Sequence, residues 1–224
     1  MASVLQNITL DSGKDPQYSI IWLHGLGADG NDFVPMVDEL SLPVAVRYIF
    51  PHAPMRPVTI NGGYVMRAWY DIAGERIDTR QDEQGIRASQ ADVEVLIEQE
   101  IARGIAPGRI FLAGFSQGGA IALQTALRQS VPLAGVLALS TYLPLADLAE
   151  HEATAASRKT PVFMAHGRND PVIALAIGSA SASHLRGMGY SVAWHEYAMQ
   201  HSVNEQELRD IEEWLGAQVK GLSV

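Results

Sequence analysis

The segment Gly114-Phe115-Ser116-Gln117-Gly118 fits the pattern G-x-S-x-G and runs on into Gly119 and Ala120. An apolar stretch, Arg109 to Ala113, leads into it, and a helix-compatible run, Ala120 to Arg128, leads out. A serine at a sharp strand-to-helix turn is held in a strained backbone conformation that lifts its hydroxyl above the sheet edge, while small neighbours let other segments approach. The helix start supplies free N–H groups and a dipole that stabilise a developing oxyanion. Ser116 is therefore the candidate nucleophile and the Gln117 N–H a candidate oxyanion donor. The bland alternative is a glycine-rich turn with an incidental serine.

A serine hydroxyl is a weak nucleophile at neutral pH and needs an adjacent base. Seven histidines compete for that role. When such an elbow tops a sheet, the acid and then the histidine follow it in chain order, each on a loop after a strand. His24 and His52 precede Ser116, His151 and His184 fall in or beside helical sequence, His166 ends a strand, and His195 lies inside one. His201 alone follows the last expected strand in a loop ahead of the final helix. For the acid, Asp170 closes the loop His166-Gly167-Arg168-Asn169-Asp170, with Pro171-Val172 next. Asp before Pro is also an ordinary helix cap, so position between Ser116 and His201 decides for chemistry, with Asp147 as the fallback. The loop His24-Gly25-Leu26-Gly27-Ala28-Asp29-Gly30 is of the glycine-rich kind that lends a second oxyanion donor, here the Leu26 N–H. It lacks G-x-G-x-x-G and a Gly-Lys-Ser/Thr ending, so a phosphate loop is the poorer reading.

These residues need a scaffold. Short, almost wholly apolar runs at Tyr18–Leu23, Val44–Phe50, Arg109–Ala113, Leu133–Leu139, Val162–Ala165 and Ser191–Tyr197 predict strands buried on both faces, as in a parallel sheet covered by helices. Between them, Ile86–Ala102, Gln117–Gln129, Val172–Met188 and Val203–Val219 carry helical patterning. Alternating β and α elements predict an α/β fold with a mostly parallel central sheet and helices on both faces, its ligands at the carboxyl ends of the strands. Pro51 to Arg80 breaks the rhythm and reads as a long surface excursion, a candidate wall of the substrate pocket.

Composition bounds the rest. With 224 residues, 47% apolar and 18% charged, the chain suits a single domain spanning residues 1–224. A net charge of −9 argues against nucleic acid. The richest apolar stretch, Val131 to Leu145, is cut by Pro132 and Pro144, which argues against a membrane span. The absence of cysteine excludes a thiol nucleophile and a thiolate metal site. Met1 to Leu10 lacks the pattern of a secretory signal, so a cytoplasmic location is expected. Neither H-x-x-x-H nor H-E-x-x-H occurs, so no metal and no cofactor is expected, and a metal-dependent hydrolase is the weaker alternative.

Several motifs in order, His24-Gly25-Leu26-Gly27, Pro54 to Thr59, Ala68-Trp69-Tyr70-Asp71-Ile72, Gly114 to Ala120, His166-Gly167 with Asp170-Pro171-Val172, and His201, resemble the small carboxylesterase and acyl-protein thioesterase group of α/β-hydrolases. The resemblance implies the α/β-hydrolase fold, a Ser116-Asp170-His201 triad, backbone oxyanion donors at Leu26 and Gln117, and hydrolysis of small-molecule acyl esters or thioesters without a cofactor. It also implies a homodimer. The expected acyl pocket draws on Leu26, Met66, Trp69, Phe115 and Val172. Gln200 departs from the group, which usually has glycine there; a positive φ at that position would strain it. A lysophospholipase or peptidase on the same scaffold is the enzymatic alternative, and a binding protein with a dead triad the non-enzymatic one.

Overall fold

A computed structural model describes residues 5–74 and 81–221. Its nine strands and six α-helices among those residues are β1 (Asn7–Asp11), β2 (Tyr18–Leu23), α1 (Met36–Glu39), β3 (Val46–Pro51), β4 (Met55–Val58), β5 (Tyr64–Arg67), α2 (Glu83–Ala102), β6 (Ile110–Phe115), α3 (Gln117–Leu127), β7 (Gly135–Leu139), α4 (Ala146–Glu152), β8 (Val162–Gly167), α5 (Leu175–Gly187), β9 (Val192–Tyr197) and α6 (Glu205–Gly221). Seven strands form one sheet in the order β1-β3-β2-β6-β7-β8-β9, with β1 antiparallel to β3 and every other neighbour pair parallel.

Five of the six apolar runs become interior strands because both faces of the sheet are covered; the sixth, Ser191–Tyr197, becomes the edge strand β9, most of it only half-buried. Along β2, Ile21 and Leu23 enter one core with α2, α3 and α5, while Tyr18, Ile20 and Trp22 enter the other with α1 and α6. Period-two alternation thus continues, but each face meets hydrocarbon rather than water. Full burial of each such side chain contributes about 1.5–3 kcal/mol. From α2, Ile86, Val93, Leu96 and Ile97 join the first core; from α6, Ile211, Leu215 and Val219 join the second.

The excursion after β3 is not the surface loop its prolines predict. It forms the antiparallel hairpin β4–β5, and then Ala68, Trp69 and Tyr70 return into the core, each at most 2% exposed. Its tail, residues 75–80, lies outside the described residues. Parallel order brings the carboxyl ends of β2, β6, β8 and β9 to one edge, where the loops carrying Leu26, Ser116, Asp170 and His201 emerge.

Candidate active site

Ser116 sits between β6 and α3 with φ 53° and ψ −120°, a conformation that L-residues rarely adopt. The surroundings hold it there. Its N–H donates to the Leu139 carbonyl at 2.8 Å, and its carbonyl accepts from Thr141 Oγ1 at 2.6 Å and from the Ala120 N–H at 3.1 Å. The elbow is packed so closely that a Cβ on Gly118 would lie 2.3 Å from the Leu23 carbonyl oxygen. Only glycine permits α3 to start this near β2.

After β8 the chain turns through Asp170. One carboxylate oxygen, Oδ1, accepts from the Val172 and Ile173 N–H groups at 2.8 and 2.9 Å, and the other, Oδ2, lies 2.7 Å from His201 Nδ1. Asp170 Oδ1 thus braces a tight turn and does not cap a helix, because α5 begins only at Leu175, with Ala174 before it, rather than at the Val172 the patterning predicts. An ionised carboxylate can only accept, so Nδ1 of His201 carries the proton and Nε2 is left with its lone pair. The His201 ring also packs against Phe115, with centroids 4.7 Å apart. Gln200 is not among the residues with positive φ, so the strain expected from a side chain there does not arise.

His24, fully buried at the end of β2, anchors the facing loop. Its Nε2 accepts from the Ala53 N–H at 3.0 Å, so the proton is on Nδ1, which donates to the Gly25 carbonyl at 2.7 Å. Burial pushes this imidazole down to about 4. Gly25 is close enough to the elbow that a Cβ would lie 3.6 Å from that of Ser116.

A cavity of about 310 Å³ opens where these loops meet. Ser116, His201, Leu26, Gln117, Phe115 and Val172 line it, so the structure brings these six expected residues together, with Asp170 bonded behind His201. Met66 and Trp69 do not line it. Met66 lies on β5 in a separate surface depression with Gly27, Met55 and Tyr64, on the hairpin strand whose Arg67 carbonyl accepts from the Gly27 N–H. Trp69 is wholly buried: its backbone N–H donates to Gln117 Oε1 at 2.8 Å and its Nε1 to the His24 carbonyl at 2.9 Å. It holds the wall from behind. Asp147, the fallback acid, lines a different pocket beside α4 and α5.

Sequence reasoning did not assign Tyr70, Ile72, Tyr142 and Ile173 to the cavity, which Gly25, Ala28 and Asp32 also line. Tyr70 and Tyr142 share a hydroxyl hydrogen bond of 2.7 Å, and burial raises both, Tyr142 to about 12. Gln117 Nε2 donates to the Tyr70 carbonyl at 2.7 Å, tying the former excursion to the helix start. The aromatic cluster of that excursion was the available signal, but it marked a segment without telling which ring faces the cavity. Among the described residues, no three His, Cys, Asp or Glu side chains gather in a group that could hold a metal ion, and no helix is long and apolar enough to cross a membrane.

Comparison with known proteins agrees in kind. Residues 6–219 match the model of a family described as phospholipase/carboxylesterase. The chain is 40% identical over 214 residues to acyl-protein thioesterase 1 of Gibberella zeae, covering 90% of each protein. Crystal structures of Arabidopsis thaliana SOBER1 (31% identity, TM-score 0.85, 90% of this chain and 99% of that one) and Zea mays acyl-protein thioesterase 2 (28%, 0.84, 96% and 99%) share its fold. With an elbow serine and a carboxylate-bound histidine at one cavity, the chain belongs to the phospholipase/carboxylesterase family of α/β-hydrolases and is a serine hydrolase.

Proposed function

We propose that the chain hydrolyses carboxylic esters or acyl thioesters through an acyl-enzyme on Ser116, with His201 as general base and Asp170 orienting it. The observation that carries this reading is the 2.7 Å bond from His201 Nδ1 to Asp170 Oδ2 beside a cavity that Ser116 also lines. Ser116 Oγ attacks the acyl carbonyl as its proton passes to His201 Nε2. The Leu26 and Gln117 N–H groups hold the oxyanion. The tetrahedral adduct expels the alcohol or thiol, which takes the proton from His201. Water then adds to the acyl-enzyme by the same relay and releases the acid. Leu26, Ile72, Phe115, Val172 and Ile173 offer the acyl chain an apolar wall.

The names of the similar thioesterases favour a thioester; the family description leaves an oxygen ester or a lysophospholipid equally open. The test is initial-rate hydrolysis of p-nitrophenyl esters from acetyl to palmitoyl, alongside acyl thioesters and lysophosphatidylcholine. Ser116→Ala is expected to lose at least about a thousandfold with every substrate that the parent turns over. Covalent labelling of the parent but not of Ser116→Ala by a fluorophosphonate fixes the nucleophile. Labelling that persists in Ser116→Ala would overturn the assignment.

A further inference from the structure

The imidazole of His166 lies wholly buried at the end of β8, behind the acid and away from the cavity. Its Nε2 is 2.8 Å from the Ile173 carbonyl oxygen. A carbonyl can only accept, so the proton is on Nε2. The other nitrogen, Nδ1, is buried with no hydrogen-bond partner and is pressed by α5, where a Cβ on Gly178 would lie 2.4 Å from it. A proton at Nδ1 would be a buried N–H without an acceptor, so the ring is neutral in a single tautomer. Nε2 also lies 3.4 Å from Asp170 Oδ2, the oxygen that binds His201.

We propose that His166 is a positioning residue for Asp170, acting as the clamp of the turn from 170 to 173; this rests on the assignment of Ser116, Asp170 and His201 made above. The chain of contacts is short. His166 fixes the Ile173 peptide by its carbonyl; the N–H of the same residue holds Asp170 Oδ1 at 2.9 Å; Asp170 then aims Oδ2 at His201. The His166 N–H dipole beside Oδ2 draws off part of the charge that His201 would otherwise meet. Ile173 also lines the cavity, so the clamp couples the acid to the pocket wall.

Other charged groups near this turn are few. Arg168 and Glu196 pair across the loop and β9 at 3.5 Å, and Asp32 stands on the cavity rim. The titratable residues of α5, His184 and Arg186, lie in its last turn, and Gly178 meets the ring.

The test compares His166→Leu, which removes the donor, with His166→Gln, whose amide nitrogen reaches the same place. His166→Leu is expected to lower kcat roughly 10- to 100-fold with KM held within about twofold, as a misaimed base does. His166→Gln should recover most of the rate, because its amide N–H can again donate to the Ile173 carbonyl. In an Asp170→Asn background, His166→Leu should cost less than about threefold, since there is no carboxylate left to position.

Three results would overturn the clamp: parent-level kcat in His166→Leu, a Gln variant no better than the Leu variant, or the same loss with and without the carboxylate. Parent-level activity in Asp170→Asn alone would remove the triad assignment, and the clamp with it. A thermal melt of each variant separates loss of the fold from loss of aim.

Discussion

His24 shows how one buried side chain can fix the loop that leads to Leu26 without itself lining the cavity. Both ring nitrogens are committed, one to the Ala53 N–H and one to the Gly25 carbonyl, and its own carbonyl receives Trp69 Nε1. His24→Phe would leave the Ala53 N–H buried and unpaired, a cost of about 1–3 kcal/mol. It would also free the peptide that precedes Leu26, so kcat should fall with the Tm. The ring titrates near 4 when folded, below its ordinary 6.5. A depressed histidine contributes stability above pH 6.5 and loses it as pH falls through about 4, here on the order of 3 kcal/mol. The parent Tm should therefore decline between pH 6.5 and 4 more steeply than that of His24→Phe. Parallel declines would show that another group dominates. Asp170→Asn tests the residue scale from the other side: an amide forces the wrong tautomer on His201, and kcat should drop by roughly ten-thousandfold, the size of the loss in the serine-protease triad.

Individual side chains arrive only because elements deliver them, and the delivery depends on close backbone contact. At the end of β8, a Cβ on Gly167 would lie 2.2 Å from the Gln200 carbonyl oxygen and 2.6 Å from that of Met199. Both are backbone atoms of the loop that carries His201, so Gly167→Ala must push that loop away. Its kcat/KM should fall at least about tenfold. The contrast is Gly216 inside α6, where a Cβ meets nothing within 4 Å. Gly216→Ala should leave activity unchanged and raise stability by about 0.5–1 kcal/mol through helix propensity. Equal rates in both variants would sever the link between the β8 end and the histidine loop.

The same contrast explains what the sequence makes legible. Strands β2, β6, β7 and β8 announce themselves because burial on both faces demands unbroken apolar runs. Strand β1 does not, since Asn7–Asp11 is an exposed edge paired on one side only, and Pro57 disguises β4. The placement of Ser116, Asp170 and His201 is readable from chain order and loop position. The rest of the cavity wall is not: Tyr70 lines it while Trp69 is held behind it by the Gln117 amide that receives the Trp69 N–H, a contact between residues 48 apart in the chain.

At the scale of the whole molecule, the sheet is stabilised by hydrocarbon on both faces, and α6 seals the second face. It buries one group that fits poorly. Glu207, in the first turn of α6, is fully buried, and neither carboxyl oxygen has a hydrogen-bond partner. Burial pushes this acid up to about 8 from an ordinary 4.5; the Asn204 N–H, short of a full hydrogen bond to the carboxyl, opposes the rise, and Asp210 adds a smaller push upward. The folded protein therefore holds a proton on Glu207 at neutral pH that the unfolded chain releases. The sign follows directly. A raised acid contributes its full stability below about pH 4.5, and that contribution is lost as pH rises through about 8. Between those limits the loss is on the order of 3–5 kcal/mol, a large share of the margin on which folded proteins stand. Glu207→Gln keeps the shape and removes the ionisation. It should melt close to the parent at pH 5 and several degrees above it at pH 8.5. A parent and a variant that lose Tm together over that range would show that Glu207 stays ionised in the fold, with a partner supplied by solvent.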